Sequence, residues 1–259
     1  MLIIDGDHIF VYRIGFAIEK DPSGMAAAEH NIRAAIGHMI NATQDFNYKI
    51  FLTGKDNFRT EVATLLPYKG NRKLARKPKY YSKIREYLHN HYKAVIVDGM
   101  EADDAMGIEQ MKYYHTPEHL GDTGYCASTI VACDKDMDMI PGNHYNPVKH
   151  ISYWIDEVEA MRNYYKQILT GDSCDNIPGL KGMGPKGASK ILDKIDDPEE
   201  MWKEVYDTYY KAAKLLKGHE STYELKLKGI TKFLSSQTDV MNILSEIKQL
   251  LWIRRYETV

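Results

Sequence analysis

Three short apolar runs each deliver a carboxylate at or just beyond their C-terminal end. Leu2-Ile3-Ile4 leads into Asp5. Ala94-Val95-Ile96-Val97 leads into Asp98 and then Glu101-Ala102-Asp103-Asp104. The run Thr129 to Cys133 leads into Asp134-Lys135-Asp136. Apolar runs of this length, rich in β-branched residues, read as buried strands. In open α/β sheets, ligands bind outside the carboxyl ends of the strands, so these acids are expected to converge there. Glu101 and Asp104 share one face of a helix's first turn, with Asp103 alongside. Asp134 and Asp136, two apart on an extended segment, point to the same side. Carboxylates gathered in one crevice repel unless hard cations neutralise them. All-oxygen donor sets suit Mg²⁺ or Mn²⁺ rather than zinc. Two such ions, roughly 4 Å apart, activate a water and stabilise the leaving oxygen in phosphodiester cleavage. Taken singly, each acid is as readily an N-cap or a solvated strand end. The set carries the metal reading.

The elements that must position these acids follow from the same pattern. Leu2–Ile4, Ile50–Leu52, Ala94–Val97 and Thr129–Ala132 read as strands, with helices over about 25–45 and 101–114 between them. Alternation of this kind predicts an α/β fold with a mostly parallel central sheet flanked by helices. A basic stretch at 68–93 interrupts the alternation and is expected to protrude from the core. After Trp154 the pattern turns helical, over 156–169, 185–194, 199–217 and 239–252, with a Gly/Pro-rich turn at 171–184. The chain is therefore divided into a core over 1–153, which includes an arch at 68–93, and a helical lobe over 154–259.

The net charge of −2 conceals a segregation of charge. From Lys69 to Arg85 there are eight Lys or Arg residues, among them Arg76, Lys77 and Lys83, and no acid. A basic surface set apart from acidic clusters suits a polyanion on one and metal ions on the other. With 44% hydrophobic and 27% charged residues the composition is that of an ordinary globular protein. No run is long and uncharged enough for a membrane span. Met1 runs straight to Asp5 without a basic n-region, which argues against a secretory signal. Cys126, Cys133 and Cys174 form no CxxC pair, so neither zinc nor a disulfide framework is indicated. These features predict a reducing, cytoplasmic setting.

The order and wording of the motifs resemble the 5′-nuclease superfamily of flap endonucleases and 5′→3′ exonucleases, particularly its stand-alone bacteriophage members. Ile4-Asp5-Gly6 is similar to the family's opening motif, and Tyr68-Lys69-Gly70-Asn71-Arg72 to its Tyr-Lys-x-Asn-Arg signature. Glu101-Ala102-Asp103-Asp104 and Asp134-Lys135-Asp136 match its two acidic blocks. Gly171-Asp172-Ser173-Cys174-Asp175-Asn176, followed by Gly182-Met183-Gly184-Pro185-Lys186, resembles its helix–three-turn–helix, placed over about 163–194. The likeness is strongest over 1–192 and weak beyond.

That resemblance implies a PIN-like 5′-nuclease core and two Mg²⁺ ions, with Mn²⁺ as a substitute. Asp5, Glu101, Asp103 and Asp104 would bind the first ion directly or through water. Asp134, Asp136, Asp172 and Asp175 would hold the second. Lys69 and Arg72, at the base of the arch, would act on the scissile phosphate, where positive charge stabilises the transferring phosphoryl group. Tyr68 would stack on an unpaired base, while Arg76, Lys77 and Lys83 extend the basic surface along the DNA. Gly182, Gly184 and Lys186 would grip a phosphate at the start of the following helix without reading sequence. Substrates would be DNA with 5′ ends or 5′ flaps, and RNA–DNA hybrids. The implied enzyme is a monomer working alone or beside a separate DNA polymerase, in the host cytoplasm if phage-encoded.

Two positions depart from the family pattern. The acid expected at the end of the second strand is replaced by Thr53-Gly54, with Asp56 in the loop beyond. The arginine expected seven residues after Asp5 is displaced by one, to Arg13. Asp138 reads as a local cap, and Asp7 as the cap of the following helix. Lysines 211, 214, 217, 226, 228 and 232 on the late helices have two readings, an extension of the DNA footprint and, as the plainer account, a solvated face. Two other functions stay open at this point: a single-strand ribonuclease of the PIN-like type, and a DNA-structure-binding scaffold with weak or lost catalysis.

Overall fold

The computed structural model describes residues 1–72, 76–115 and 124–257. The chain forms two compact units. The first comprises Met1–Asn57, Arg76–Glu157 and Ile253–Val259, and the second Phe58–Ala75 and Val158–Trp252.

The first unit is built on a six-stranded sheet: β1 (Leu2–Asp5), β2 (Tyr48–Thr53), β3 (Val95–Val97), β4 (Thr129–Val131), β5 (Gly142–Asn146) and β6 (Ile151–Ile155). Their order is β3-β2-β1-β4-β5-β6. The first five are mutually parallel and β6 returns antiparallel to β5. The chain steps outward from β1 to β3 and then re-enters on the other side of β1 at β4. The carboxyl ends of β1 and β4 therefore flank the topological switch point, where open α/β sheets bind ligands.

Alternation along β1 explains the layers. Leu2 and Ile4 face one side and Ile3 the other, all fully buried. On the Leu2/Ile4 side lie helices α1 (Met25–Thr43) and α2 (Tyr81–Tyr92), together with a π-helical segment, Asp7–Ile14. Helix α3 (Ala102–Met111) covers Ile3, Phe51 and Ile130 on the other side, joined by Ile253 from the C-terminal segment.

Three sequence expectations change here. Helix α2 does not protrude: Ile84 and Leu88, one turn apart, are fully buried in the sheet core, each worth about 1.5–3 kcal/mol. The charged residues around them, among them exposed Lys83 and Glu86, hid this amphipathic pattern. Residues 73–75 of the expected arch lie outside the described residues. The sheet runs on through β5 and β6 to Ile155, past the expected boundary at 153. The region after it also holds a three-stranded antiparallel sheet, Lys214–Leu215, Tyr223–Lys226 and Thr231–Leu234, where a helix to 217 was expected.

The second unit packs α4 (Glu157–Thr170), α5 (Pro185–Leu192), α6 (Pro198–Ala212) and α7 (Val240–Leu251) around Ile168, Met201, Tyr209, Leu244 and Ile247. Segment 58–72 belongs with these helices for a definable reason. The buried Arg59 donates from Nε to the Leu250 carbonyl (2.8 Å) and from Nη2 to Trp252 (2.7 Å). A guanidinium there satisfies the last carbonyls of α7 and complements its dipole. The Thr64 and Leu65 N–H groups donate to the Glu246 carboxylate at 2.7 and 2.6 Å. Arg59→Met keeps the bulk and strands those carbonyls. It is expected to cost about 1–3 kcal/mol, read from the urea unfolding midpoint.

Candidate active site

In the first unit, β1 delivers Asp5 to the switch point, where it is nearly buried. Its Oδ1 accepts the His8 N–H at 2.9 Å. Burial nevertheless raises its carboxyl to about 6, and the charges of Asp7 and Asp134 add to the rise. Asp103, on the first turn of α3, is pushed well above the carboxylate range. Burial is the largest cause, followed by the charges of Asp5, Glu101, Asp134 and Asp104. Acids carried by three strand ends thus repel one another.

Asp104 is held differently. Fully buried, it accepts the Glu101 N–H at 3.1 Å and the Arg254 N–H at 3.0 Å. It closes the helix start and ties the C-terminal segment to it. Glu101 receives the Asn57 amide on Oε1 at 2.8 Å. Asp134 caps the short 3₁₀ turn Lys135–Met139 by accepting the Asp136 N–H at 3.0 Å. Asp138 accepts the Tyr153 hydroxyl at 2.7 Å, a bond to the last strand of the sheet rather than a local cap.

The donor set fits a hard divalent cation: carboxylate oxygens only, with their charge opposed by burial and by one another. Among the described residues, no group of three or more His, Cys, Asp or Glu side chains is closed to ligating geometry. The arrangement is an open set of mutually repelling acids.

The missing second-strand acid has a structural counterpart. Thr53, at the end of β2, accepts the Ala102 N–H on Oγ1 at 3.0 Å and so fixes the start of the acid-bearing helix. Its own N–H donates to Asp7 Oδ2 (2.6 Å), and its carbonyl accepts Arg85 Nη2 (2.6 Å). Asp7 and Arg85 form an ion pair. Asp7 is not the cap expected from the sequence, since Gly6 holds the N-cap position without a side-chain bond; it links the exit of β1 to β2 and α2. Gly54 leaves no room for an acid, since a Cβ there would strike the Asp98 carboxylate and the Val97 carbonyl. Asp56 is exposed in the loop. Arg13, the displaced arginine, acts on Cys133, where its charge opposes the rise that burial imposes on the thiol.

In the second unit the signatures at 67–72 and 171–176 interlock. Lys69 adopts φ +51°, and its N–H donates to the Asp175 carbonyl at 2.8 Å. Asp175 Oδ2 accepts the Tyr68 hydroxyl (2.6 Å) and lies 3.6 Å from Lys69 Nζ. Asp175 Oδ1 meets Arg72 Nη2 at 2.5 Å, while Arg72 Nε donates to the Cys174 carbonyl at 2.9 Å. Asn71 and Asn176 complete the seam through the Ser173 and Pro67 carbonyls. Asp172 turns inward to the Cys174 N–H at 2.7 Å. Gly171, at φ +68°, makes the bend after α4. Gly184 caps α5, Pro185 opens it, and Lys186 is exposed beside them. Of the remaining basic candidates, Arg76 is spent on Glu19 at 2.8 and 3.0 Å, Lys77 lies 4.4 Å over the Tyr81 ring, and Lys83 is exposed.

Sequence reasoning missed Asn57, Arg85 and the Arg254 backbone. Its place at the end of the acid-free basic run was the only available hint of Arg85, and nothing local marks Arg254.

A mostly parallel sheet with helices on both faces and carboxylates at its switch point defines an α/β fold. No family model matches the chain. A 5′-3′ exonuclease of Buchnera aphidicola subsp. Schizaphis graminum is 28% identical over 262 residues, covering 92% of this chain and 84% of that protein. Flap endonuclease Xni of Shewanella frigidimarina is 26% identical over 235 residues, covering 85% and 87%. Matches to DNA polymerase I chains cover only 8–25% of those longer proteins. The bacteriophage T5 flap endonuclease, solved in a pseudo-enzyme–product complex with DNA and metal ions, shares the fold. It has a TM-score of 0.56 at 16% identity, over 98% of this chain and 88% of that one. These comparisons match the chain to the 5′-nuclease superfamily and its stand-alone members. Among the described residues, no helix is long and apolar enough to cross a membrane.

Proposed function

We propose that the chain is a divalent-metal-dependent 5′→3′ DNA exonuclease with flap endonuclease activity. The observation that carries this reading is the set of mutually repelling carboxylates from three strand ends at the switch point of the sheet. Its chemistry supports Mg²⁺, with Mn²⁺ as a substitute and two ions as the working number. Asp5, Glu101, Asp103 and Asp104 are the candidate first-ion ligands, and Asp104 also fixes the start of the helix that carries Asp103. Asp134 and Asp136 are candidate second-ion ligands, and Asp172 and Asp175 the candidate oxygen donors of the second unit. Bound cations would supply a water of lowered pKa and neutralise the phosphoryl charge.

The chain's own groups do the rest. Lys69 and Arg72 offer positive charge to a phosphate. Exposed Lys186, at the positive end of the α5 dipole, holds a backbone phosphate without reading sequence. Asp103 and Asp134 contribute carboxylate oxygens to the same crevice, close enough for the Asp134 charge to raise the Asp103 carboxyl.

Cleavage of 5′-labelled duplex, 5′-flap and single-stranded DNA, with Mg²⁺ and with EDTA, tests the reading. Metal-dependent release of short 5′ products from duplex or flap is expected. DNA binding without cleavage in Mg²⁺ and in Mn²⁺ would refute it. Thr53→Val keeps the shape of the side chain but removes the acceptor for Ala102. It is expected to cost about 1 kcal/mol of stability and to lower kcat with little change in DNA affinity. Thr53→Ser should recover both, and failure to do so would deny the hydroxyl this role.

A further inference from the structure

Most of the late lysines lie outside helices, on a small sheet and its loops. From Lys211 to Lys232 there are six lysines against two glutamates, and the segment folds into the three-stranded antiparallel sheet with its loops. The register pairs Lys214 with Glu224 and Glu224 with Phe233, so these three form one row across the sheet. Lys226, two residues beyond Glu224, shares their face. Leu225 points the other way and is fully buried, which makes the row's face the outer one. On that face the Phe233 ring is 62% exposed. Glu224 is paired with Lys226 at 3.2 Å, leaving exposed Lys214 as the row's uncompensated cation.

The same sheet is hydrogen-bonded into the loop that opens α5. Leu180 and Leu227 form an isolated β-bridge, and the Lys181 N–H donates to the Lys226 carbonyl at 3.1 Å. The Lys228 N–H donates to the Gly179 carbonyl at 2.8 Å, and its Nζ to the Thr170 carbonyl at 2.6 Å. Between Ile177 and Leu192 the chain carries Lys181, Lys186 and Lys190 and no acid. The basic loop is therefore joined directly to the strand that carries Glu224 and Lys226.

We propose that this face binds the unpaired part of a DNA strand, with one base stacked on Phe233 and adjacent phosphates beside Lys214 and Lys181. The inference rests on the DNA-nuclease reading above and extends its footprint. A ring standing in a basic field suits unpaired nucleotides, because bases within a duplex are already stacked. Each base–aromatic stack contributes about 1–3 kcal/mol whatever the base.

The test is fluorescence anisotropy of the full chain in Ca²⁺, with blunt duplex, gapped duplex and 5′-flap DNA at several salt concentrations. Phe233→Ala is expected to weaken gapped and flap DNA about 10-fold and leave blunt duplex within about twofold. Phe233→Tyr should bind as the wild type does. Lys214→Gln with Lys181→Gln should flatten the salt dependence of single-strand binding by about 0.7 per lysine. Equal loss on all three substrates would overturn the proposal, as would recovery by Phe233→Leu, which would mark an apolar protein-docking patch. Preference for RNA over DNA single strands would overturn it too. Absence of cleavage by the wild type in Mg²⁺ would sink the nuclease reading instead, whatever Phe233 does.

Discussion

Asp103→Asn is expected to lower kcat for 5′-end cleavage about a hundred- to a thousandfold while raising the melting temperature of the metal-free protein. Both effects have one cause. Burial and the charges of Asp5, Glu101, Asp134 and Asp104 hold the Asp103 carboxyl well above its ordinary range. A carboxyl raised in the folded state favours folding at low pH and opposes it once the pH passes that raised value. Removing the charge at constant shape relieves the opposition. The loss in rate follows because the same charge is what a divalent cation would neutralise, and one preorganised charge-stabilising group is typically worth about 10²–10³ in rate. Asp134→Ala is expected to abolish cleavage similarly, with DNA binding in Ca²⁺ largely retained. Kinetics, binding and a thermal melt in EDTA check all three quantities. A variant that loses activity and stability together would instead mark Asp103 as a structural acid, like Asp104 with its two backbone donors.

Arg72 should show the second-largest effect. Its guanidinium spans two acceptors, the Asp175 carboxylate and the Cys174 carbonyl. Arg72→Ala is expected to reduce kcat about 100-fold, the loss of a cation beside a transferring phosphoryl group. Arg72→Lys should recover only a small part, because a lysine offers a point charge where a planar fork bridges two groups. Tyr68→Phe removes one hydroxyl donor to Asp175 and should cost about 1 kcal/mol of stability, with a smaller effect on rate. The contrast separates two roles within one seam. If Arg72→Ala keeps its kcat and only melts earlier, the residue does no more than join 67–72 to 172–176.

The interlock at Asp175 also bears on how these groups meet substrate. The two cations expected at the phosphate, Lys69 and Arg72, both lie against Asp175 in the DNA-free chain. A phosphate must compete with that carboxylate for the same donors, so a weaker grip by Asp175 should be felt as a lower KM before it is felt in kcat.

The amino-acid sequence by itself determined the parallel sheet and the placement of acids at its carboxyl edge. Those features are written in short-range patterns: four β-branched apolar runs of strand length, with an acid immediately after three of them. The alternation of Leu2, Ile3 and Ile4 between two layers, and the helix starts at Glu101 and Gly184, are local in the same sense. Only the tertiary structure decided what each acid does. Asp104 meets the Arg254 N–H, Asp7 meets Thr53 and Arg85, and Asp175 gathers Tyr68, Lys69 and Arg72. The partners in those bonds stand tens of residues or more apart, and several are backbone groups that every residue carries. No spacing rule can single them out. Helix α2 shows the reverse case: Ile84 and Leu88 were present as a core signal, but the charges around them dominate the segment's composition, and burial is settled by which face meets the sheet.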